Sequence, residues 1–182
     1  MPDDQRDPRV AKLDALVAKG IEPYGRRFDV PQSVADCHAV FDAQGDEAPV
    51  RTAGRIVAQR DFGKAAFLNL QDRTGTIQIY IRKNVVGEEA FDVYRQLDVG
   101  DFVGIEGKMG TTRTGEVTIF VNALTALSKA LLPLPEKWHG LRDVETRYRQ
   151  RYLDLVANDA VRDTFVARSR IIAAVRRCLE AK

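Results

Sequence analysis

The feature that most constrains this chain is a change of period at Val50. Before it, apolar residues recur at helical spacing; from it onward they alternate, and about five alternating runs follow at roughly 50–60, 65–71, 75–82, 101–109 and 115–127. Between the third and fourth runs lies EEAFDVYRQLDVGD, where Phe91, Tyr94 and Leu97 return to helical spacing and Gly100 ends the pattern. Three strands, a helix and two strands in so short a span is the order of the OB-fold, a five-stranded, partly open Greek-key barrel; a β-sandwich needs more strands. The expected class is mainly β with flanking helices.

Two helices are expected ahead of the barrel. Asp7 reads as an N-cap and Pro8 as the first helical residue, followed by apolar Val10, Leu13, Leu16 and Val17 and a stop at Gly20. Ser33 caps a second helix with Val34, Cys37, Val40 and Phe41 on one face. After Ser128, KALLPLPEKWHGLRDVE reads as an extended linker. One helix is then expected over 145–156, with Tyr148, Tyr152 and Leu155 on one side, and a longer one from Asp159 through Phe165, Ile172, Val175 and Leu179. That last pattern meets no stop signal, so the chain is expected to continue in a parent protein. The domain division is 1–49 N-terminal helices, 50–128 barrel, 129–158 linker and short helix, 159–182 the start of a further domain.

Two-fold alternation assigns faces. Ala66, Leu68 and Leu70 point into the core, so Phe67 points out. The DRTG turn, with Gly75 expected at positive φ, joins this strand to the next, where Ile77, Ile79 and Ile81 point in and Gln78 and Tyr80 out. In the last strand Val117, Ile119 and Val121 point in, leaving Glu116, Thr118 and Phe120 out. An aromatic ring beside amide and carboxylate groups suits unstacked nucleobases, one to stack on and the others to read polar edges. Arg60 and Lys64, bordering the first hairpin loop, suit a phosphate backbone. The plain alternative is that helices cover Phe67, that Gln78 is solvent-facing, and that Tyr80 and Phe120 are packed.

Charge supports a polyanionic partner. Net charge is +2 overall, but residues 51–83 carry 7 Lys/Arg against 2 Asp/Glu and residues 129–182 carry 12 against 7, while residues 1–49 carry 6 against 10. No apolar run is long enough for a membrane span, and the acidic N-terminus is unlike a signal peptide, so a cytoplasmic location is expected. Cys37 and Cys178 suit reduced thiols, and with only His38 and His139 no metal-ligand spacing exists. No catalytic residue is assigned: there is no carboxylate pair, activated nucleophile or phosphate-binding loop, GKMGTTRTG being turn chemistry. The histidines read as structural or surface groups.

Three stretches, AGRIVAQRDFGKAAFLNLQDRTGTIQIYI, KALLPLPEKWHGLRDVETRYRQRYLDLVAND and TFVARSRIIAAVRRCLEAK, resemble the N-terminal part of class II lysyl-tRNA synthetases. The barrel stretch alone also fits the aspartyl and asparaginyl relatives; PLPEKWHGL followed by RYRQRYLDL is similar to the lysyl enzymes. The resemblance implies a barrel that binds the uridine-rich anticodon of lysine tRNA. Phe67 would stack on the central base, Gln78 would read that base's edge, Glu116 would contact a neighbouring base and Arg60 would lie against the loop. It implies ATP and Mg2+ as cofactors of the full-length ligase, with none held by these residues because the later class II motifs are absent. It also implies a homodimer in which Phe165, Ile172 and Val175 pack at or near the interface. Two other readings stay open from the residues: a free-standing OB module for RNA, and an oligomerisation domain whose outward face is covered by protein.

Overall fold

A computed structural model of the chain describes residues 7–24, 27–134 and 141–181. The expectations placed on PLPEKWHGL and on His139 fall largely outside these residues. The described residues form two compact units divided between Pro133 and Leu134.

In the first unit, α1 (Asp7–Ala18) and α2 (Val34–Gln44) precede β1 (Pro49–Asp61), β2 (Ala65–Gln71) and β3 (Thr76–Arg82); then come α3 (Lys83–Val86), α4 (Glu88–Arg95), β4 (Phe102–Thr111) and β5 (Val117–Ser128). β2 follows the alternation read from its sequence, with Ala66, Leu68 and Leu70 buried; along β3 Ile77, Ile79 and Ile81 are buried as expected, but Gln78 is buried too, as is Thr118 on β5. The strands close into a barrel in the order β1-β2-β3-β5-β4, with all neighbours antiparallel except β3 and β5. This is the OB-fold.

Closure depends on the two long strands serving two partners. β1 pairs with β4 over Pro49–Arg55 and with β2 from Arg55 to Asp61, and its register shifts between Ile56 and Ala58. A bulge there bends the strand and strengthens its twist, as a small barrel requires. β5 likewise runs along β4 for its length and meets β3 only at Thr118, Ile119 and Phe120. Where β4 bends past β5 stands Gly107, at which a Cβ would lie 2.3 Å from the Phe120 carbonyl oxygen. Only glycine permits that approach.

Phe91, Tyr94 and Leu97, the helical triplet of the sequence, are all buried in the barrel core. The Tyr94 hydroxyl donates to Asp61 Oδ2 (2.9 Å) and accepts from Gln59 Nε2 (2.8 Å), so the ring is buried with its polar tip satisfied. α2 begins as expected: Ser33 and Asp36 form a reciprocal capping box, and Val34 and Cys37 are buried. Burial pushes the Cys37 thiol up to about 11, which leaves it protonated and inert near neutral pH. α1 is tied to the barrel by polar groups. Arg9 donates to the carbonyls of Ala130 and Val99, and Lys12 pairs with Asp98 at 2.6 Å. Beside this pair the fully buried Lys129 ammonium bridges Asp98 (2.6 Å) and Asp101 (2.8 Å).

Two local expectations need correction. Gly75 has no positive φ; Asp72 Oδ1 instead accepts from the backbone of Thr74 and Gly75 and from the Thr74 hydroxyl, shaping the turn without a left-handed residue. The single helix expected over 145–156 is two, α5 (Val144–Arg149) and α6 (Arg151–Ala157), separated at Gln150 (φ −117°, ψ 60°).

The second unit consists of α5, α6 and α7 (Asp159–Glu180). Its centre is a carboxylate. Asp154 is fully buried, receiving Arg147 Nε (2.9 Å), Arg151 and Asn158 Nδ2 (2.6 Å). The break at Gln150 lets Arg147 and Arg151, on different helices, converge on it. No side chain of α7 is buried within this chain, Ile172 and Val175 included.

Candidate nucleic-acid interface

The outward face of β2, β3 and β5 is a groove of about 550 Å³. Arg60, Phe67, Gln78 and Glu116, read separately from the sequence, all line it, together with Phe62, Tyr80, Phe120 and the β4–β5 turn at Thr111–Thr114. Pairing explains how residues so distant in sequence meet. Arg60 lies opposite Phe67, Phe67 opposite Tyr80, and Gln78 opposite Thr118.

The aromatic floor is a continuous row. Phe67 stacks on Tyr80 with centroids 4.4 Å apart and the rings 19° from parallel, and Tyr80 meets Phe120 edge-on at 5.8 Å. Phe67 is half-buried and lines the groove, whose lining includes no residue of α1 or α2. Phe120 in turn lies against β4 because position 110 is glycine: a Cβ there would be 2.7 Å from the Phe120 ring. Phe62 stands at the rim, 66% exposed and edge-on to Phe67 at 6.1 Å. A half-open row of this kind offers a flat apolar face to a planar, electron-poor ring.

Gln78 is positioned differently from the simple outward residue of the sequence reading. It is buried, 7% exposed, and both ends of its amide are engaged within the protein. Nε2 donates to Glu116 Oε2 at 2.8 Å, and Oε1 accepts from the Thr118 hydroxyl at 2.9 Å. Thr118 Oγ1 also lies 3.1 Å from the Glu116 carbonyl. Each amide end retains one further hydrogen-bonding position.

Arg60 and Arg113 are exposed at the two rims, and among the described residues neither has an ion-pair partner. Their uncompensated charge favours an anion that runs along the groove. Lys64 is exposed but does not line it. Sequence reasoning placed Tyr80, Thr118 and Phe120 on the outward face without a role, with packing as the alternative for the two rings, and it passed over Phe62 and Arg113. The signals were an aromatic inside the polar loop Asp61–Lys64 and a lone cation in TTRTG; neither has a period to mark it.

The groove carries one carboxylate, already bonded to Gln78, and no three His, Cys, Asp or Glu side chains cluster among the described residues. These residues do not fit a magnesium nucleotide. No described helix is long and apolar enough to cross a membrane.

Comparison with known proteins agrees with this geometry. Residues 50–127 match the family model of the OB-fold nucleic acid binding domain of tRNA anti-codon type. Over 183 residues the chain is 47% identical to a lysine–tRNA ligase of Enterococcus faecalis, covering 97% of this chain and 37% of that protein. It is 49% identical over 174 residues to a lysine–tRNA ligase of Pelotomaculum thermopropionicum, covering 96% and 34%. A lysine–tRNA ligase of Moorella thermoacetica is also 49% identical, over 173 residues, covering 94% and 35%. The chain therefore spans about a third of the length of the curated relatives it matches.

Proposed function

We propose, from the premise that this chain carries an OB-fold nucleic acid binding domain and is homologous to lysine–tRNA ligases across nearly its whole length, that its barrel binds the anticodon loop of lysine tRNA. The observation that carries this reading is the convergence of Arg60, Phe67, Gln78 and Glu116 on one groove with an aromatic floor. The central anticodon base stacks on the Phe67–Tyr80 pair. Gln78 meets the base's polar edge, and Arg60 and Arg113 face the phosphates at the rims. Phosphate contacts supply salt-sensitive affinity while the stacked and hydrogen-bonded base supplies selectivity.

The full-length protein, in this proposal, is a cytoplasmic class II ligase that joins lysine to its tRNA using ATP and Mg2+, groups held by segments other than the residues described above. It acts as a homodimer. The uncovered apolar side chains of α7, among them Ile171, Ile172, Val175 and Leu179, support a role for that helix in association.

The test is binding of the chain to an RNA stem-loop bearing the lysine anticodon and to the same RNA with the central base replaced. Phe67→Ala is expected to weaken the first by about 1–3 kcal/mol, the range for loss of one base–aromatic stack. Equal binding of both RNAs by the unaltered chain would refute the anticodon assignment. A free-standing RNA module would bind both alike, and a protein-covered face would leave RNA binding indifferent to Phe67.

A further inference from the structure

We propose that Phe62, on the hairpin tip between β1 and β2, is a second base platform set at a right angle to Phe67, so that the protein holds two neighbouring unpaired nucleotides of one RNA loop with their bases splayed apart. The proposal rests on the anticodon reading above.

Among the described residues of the first unit, Phe62 is the most exposed large apolar side chain. An open ring on a hairpin tip adds little to folding, since it leaves its apolar surface in water. The backbone beneath it is nevertheless firmly held. Phe62 N–H donates to the Ala65 carbonyl (2.8 Å) and Lys64 N–H to the Phe62 carbonyl (3.0 Å), a tight turn centred on Gly63 at φ 79°. Asp61 ties the tip to the core. Its Oδ1 accepts from Gly63 N–H (2.6 Å), and its Oδ2 accepts from the hydroxyl of fully buried Tyr94 (2.9 Å). The ring is therefore presented on a fixed backbone before any ligand arrives, which lowers the ordering cost of binding.

Phe62 extends the aromatic row but changes its direction. Phe67 and Tyr80 are nearly parallel, whereas the Phe62 ring lies 87° from that of Phe67. Neighbouring bases in a stacked strand are parallel. A base flat on Phe67 and another flat on Phe62 are nearly perpendicular, so both rings are filled only when the two bases have come off each other. Each base then exchanges a stack on its neighbour for a stack on the protein. A duplex, whose bases stay stacked, cannot fill both. Every base has a flat π-face, so this platform accepts any base and carries no sequence information.

The surroundings match a nucleotide rather than an apolar protein partner. Arg60 and Lys64 stand two residues to either side of Phe62, both exposed and neither with an ion-pair partner among the described residues. Two uncompensated cations bracketing a ring suit a base with its phosphates. Lys64, which does not line the groove, thereby receives a role: it faces a phosphate of the second nucleotide.

The experiment measures binding of the chain to a stem-loop bearing the lysine anticodon, to the same RNA with the central base replaced, and to RNAs made abasic at the nucleotide just before or just after that base. Wild type, Phe62→Ala, Phe62→Trp and Lys64→Ala are compared; the ring is exposed, so the Phe62 variants remove no core contact. Phe62→Ala is expected to weaken binding of the intact RNA by about 5-fold to 10-fold, and Phe62→Trp to retain it. One abasic RNA is expected to bind wild type more weakly by a similar factor, yet to bind Phe62→Ala no more weakly than the intact RNA does. Selectivity for the central base is expected to survive Phe62→Ala, because Phe67 is untouched. Lys64→Ala is expected to lower the slope of log Kobs against log salt by about 0.7, the share of one single-strand phosphate. Additive losses at both flanking nucleotides would overturn the platform while leaving the anticodon reading intact, and an unchanged salt slope would overturn the role of Lys64. Equal binding by wild type of the intact RNA and the RNA with its central base replaced would overturn the anticodon reading, and the second platform with it.

Discussion

The barrel unit and the helical unit solve the same problem in opposite ways. The barrel buries an unbroken apolar set, from Ile56 through Leu68, Ile79, Ile105 and Ile119, and confines its buried charge to Lys129 with its two aspartates at one end. In the described helical unit, the one buried side chain is the carboxylate of Asp154, and on α7 Val161 and Phe165 are half-buried while Val166, Ile171, Ile172, Val175 and Leu179 are exposed. A closed sheet gives every strand a neighbour on both sides, and α2 and α4 complete its core with Val34, Cys37, Phe91 and Tyr94. Three helices leave the outer stripe of the longest one uncovered. Within this chain, burial organises the barrel and charge pairing organises the helices.

The largest effect that probes this contrast lies at the barrel's ionic end. Lys129→Met removes the cation and leaves Asp98 and the fully buried Asp101 facing each other, which is expected to cost about 3–5 kcal/mol of barrel stability in denaturant unfolding. A negligible loss would mean that the ion cluster does not hold α1 and the strand ends together.

Next in size is a matched pair of truncations. Ile79→Ala, at a fully buried position, is expected to cost about 2–5 kcal/mol, whereas Ile171→Ala, 64% exposed on α7, is expected to stay within about 0.5 kcal/mol when the chain is monomeric. Equal losses would break the comparison, because they would show the α7 stripe buried in solution.

The smallest effect is acid sensitivity. At Asp154 burial opposes the charged form, but bonds from Asn158 and Arg147 and the nearby Arg151 outweigh it and hold the carboxyl below the usual range. Asp98 follows the same logic: desolvation is overcome by Lys12 and Lys129. A depressed carboxyl contributes stability that is fully present above its unfolded value and lost as pH falls through the lower folded value. Both units should therefore be unaffected down to about pH 5 and weaken below about pH 4. The helical amides, whose only buried anchor is Asp154, should lose protection from hydrogen exchange before those of β2 and β3. Loss of the barrel amides first would reverse the ranking.

Much of the fold was legible because short-range rules and burial agree. All five strands and the α4 helix were readable from period, and the Ser33 cap from its residue type. The failures occurred where a side-chain bond replaced a backbone rule. Asp72 shaped the turn that Gly75 was expected to shape, and Asp154 gathered arginines across a break at Gln150 that propensity does not mark. The short helix α3 passed unnoticed because four residues hold no period. At the groove, parity placed Phe67, Gln78, Tyr80, Glu116 and Phe120 on the outer face, but it did not separate a ring that lines a groove from one that is packed, and it said nothing of Phe62 or Arg113.

By itself, then, the sequence determined the alternation of faces, since neighbouring strand residues point oppositely whatever the fold. It determined the order of strands and helix, and so the barrel. Only the tertiary structure decided which outward residues meet and in what chemical state. The parallel pairing of β3 with β5 brings Gln78 to Glu116 and Thr118, residues 38 and 40 positions away, and fixes the ends of its amide. Local pattern cannot carry that information, because a contact between distant strands follows from barrel closure, and the direction of a hydrogen bond follows from the partner that closure supplies.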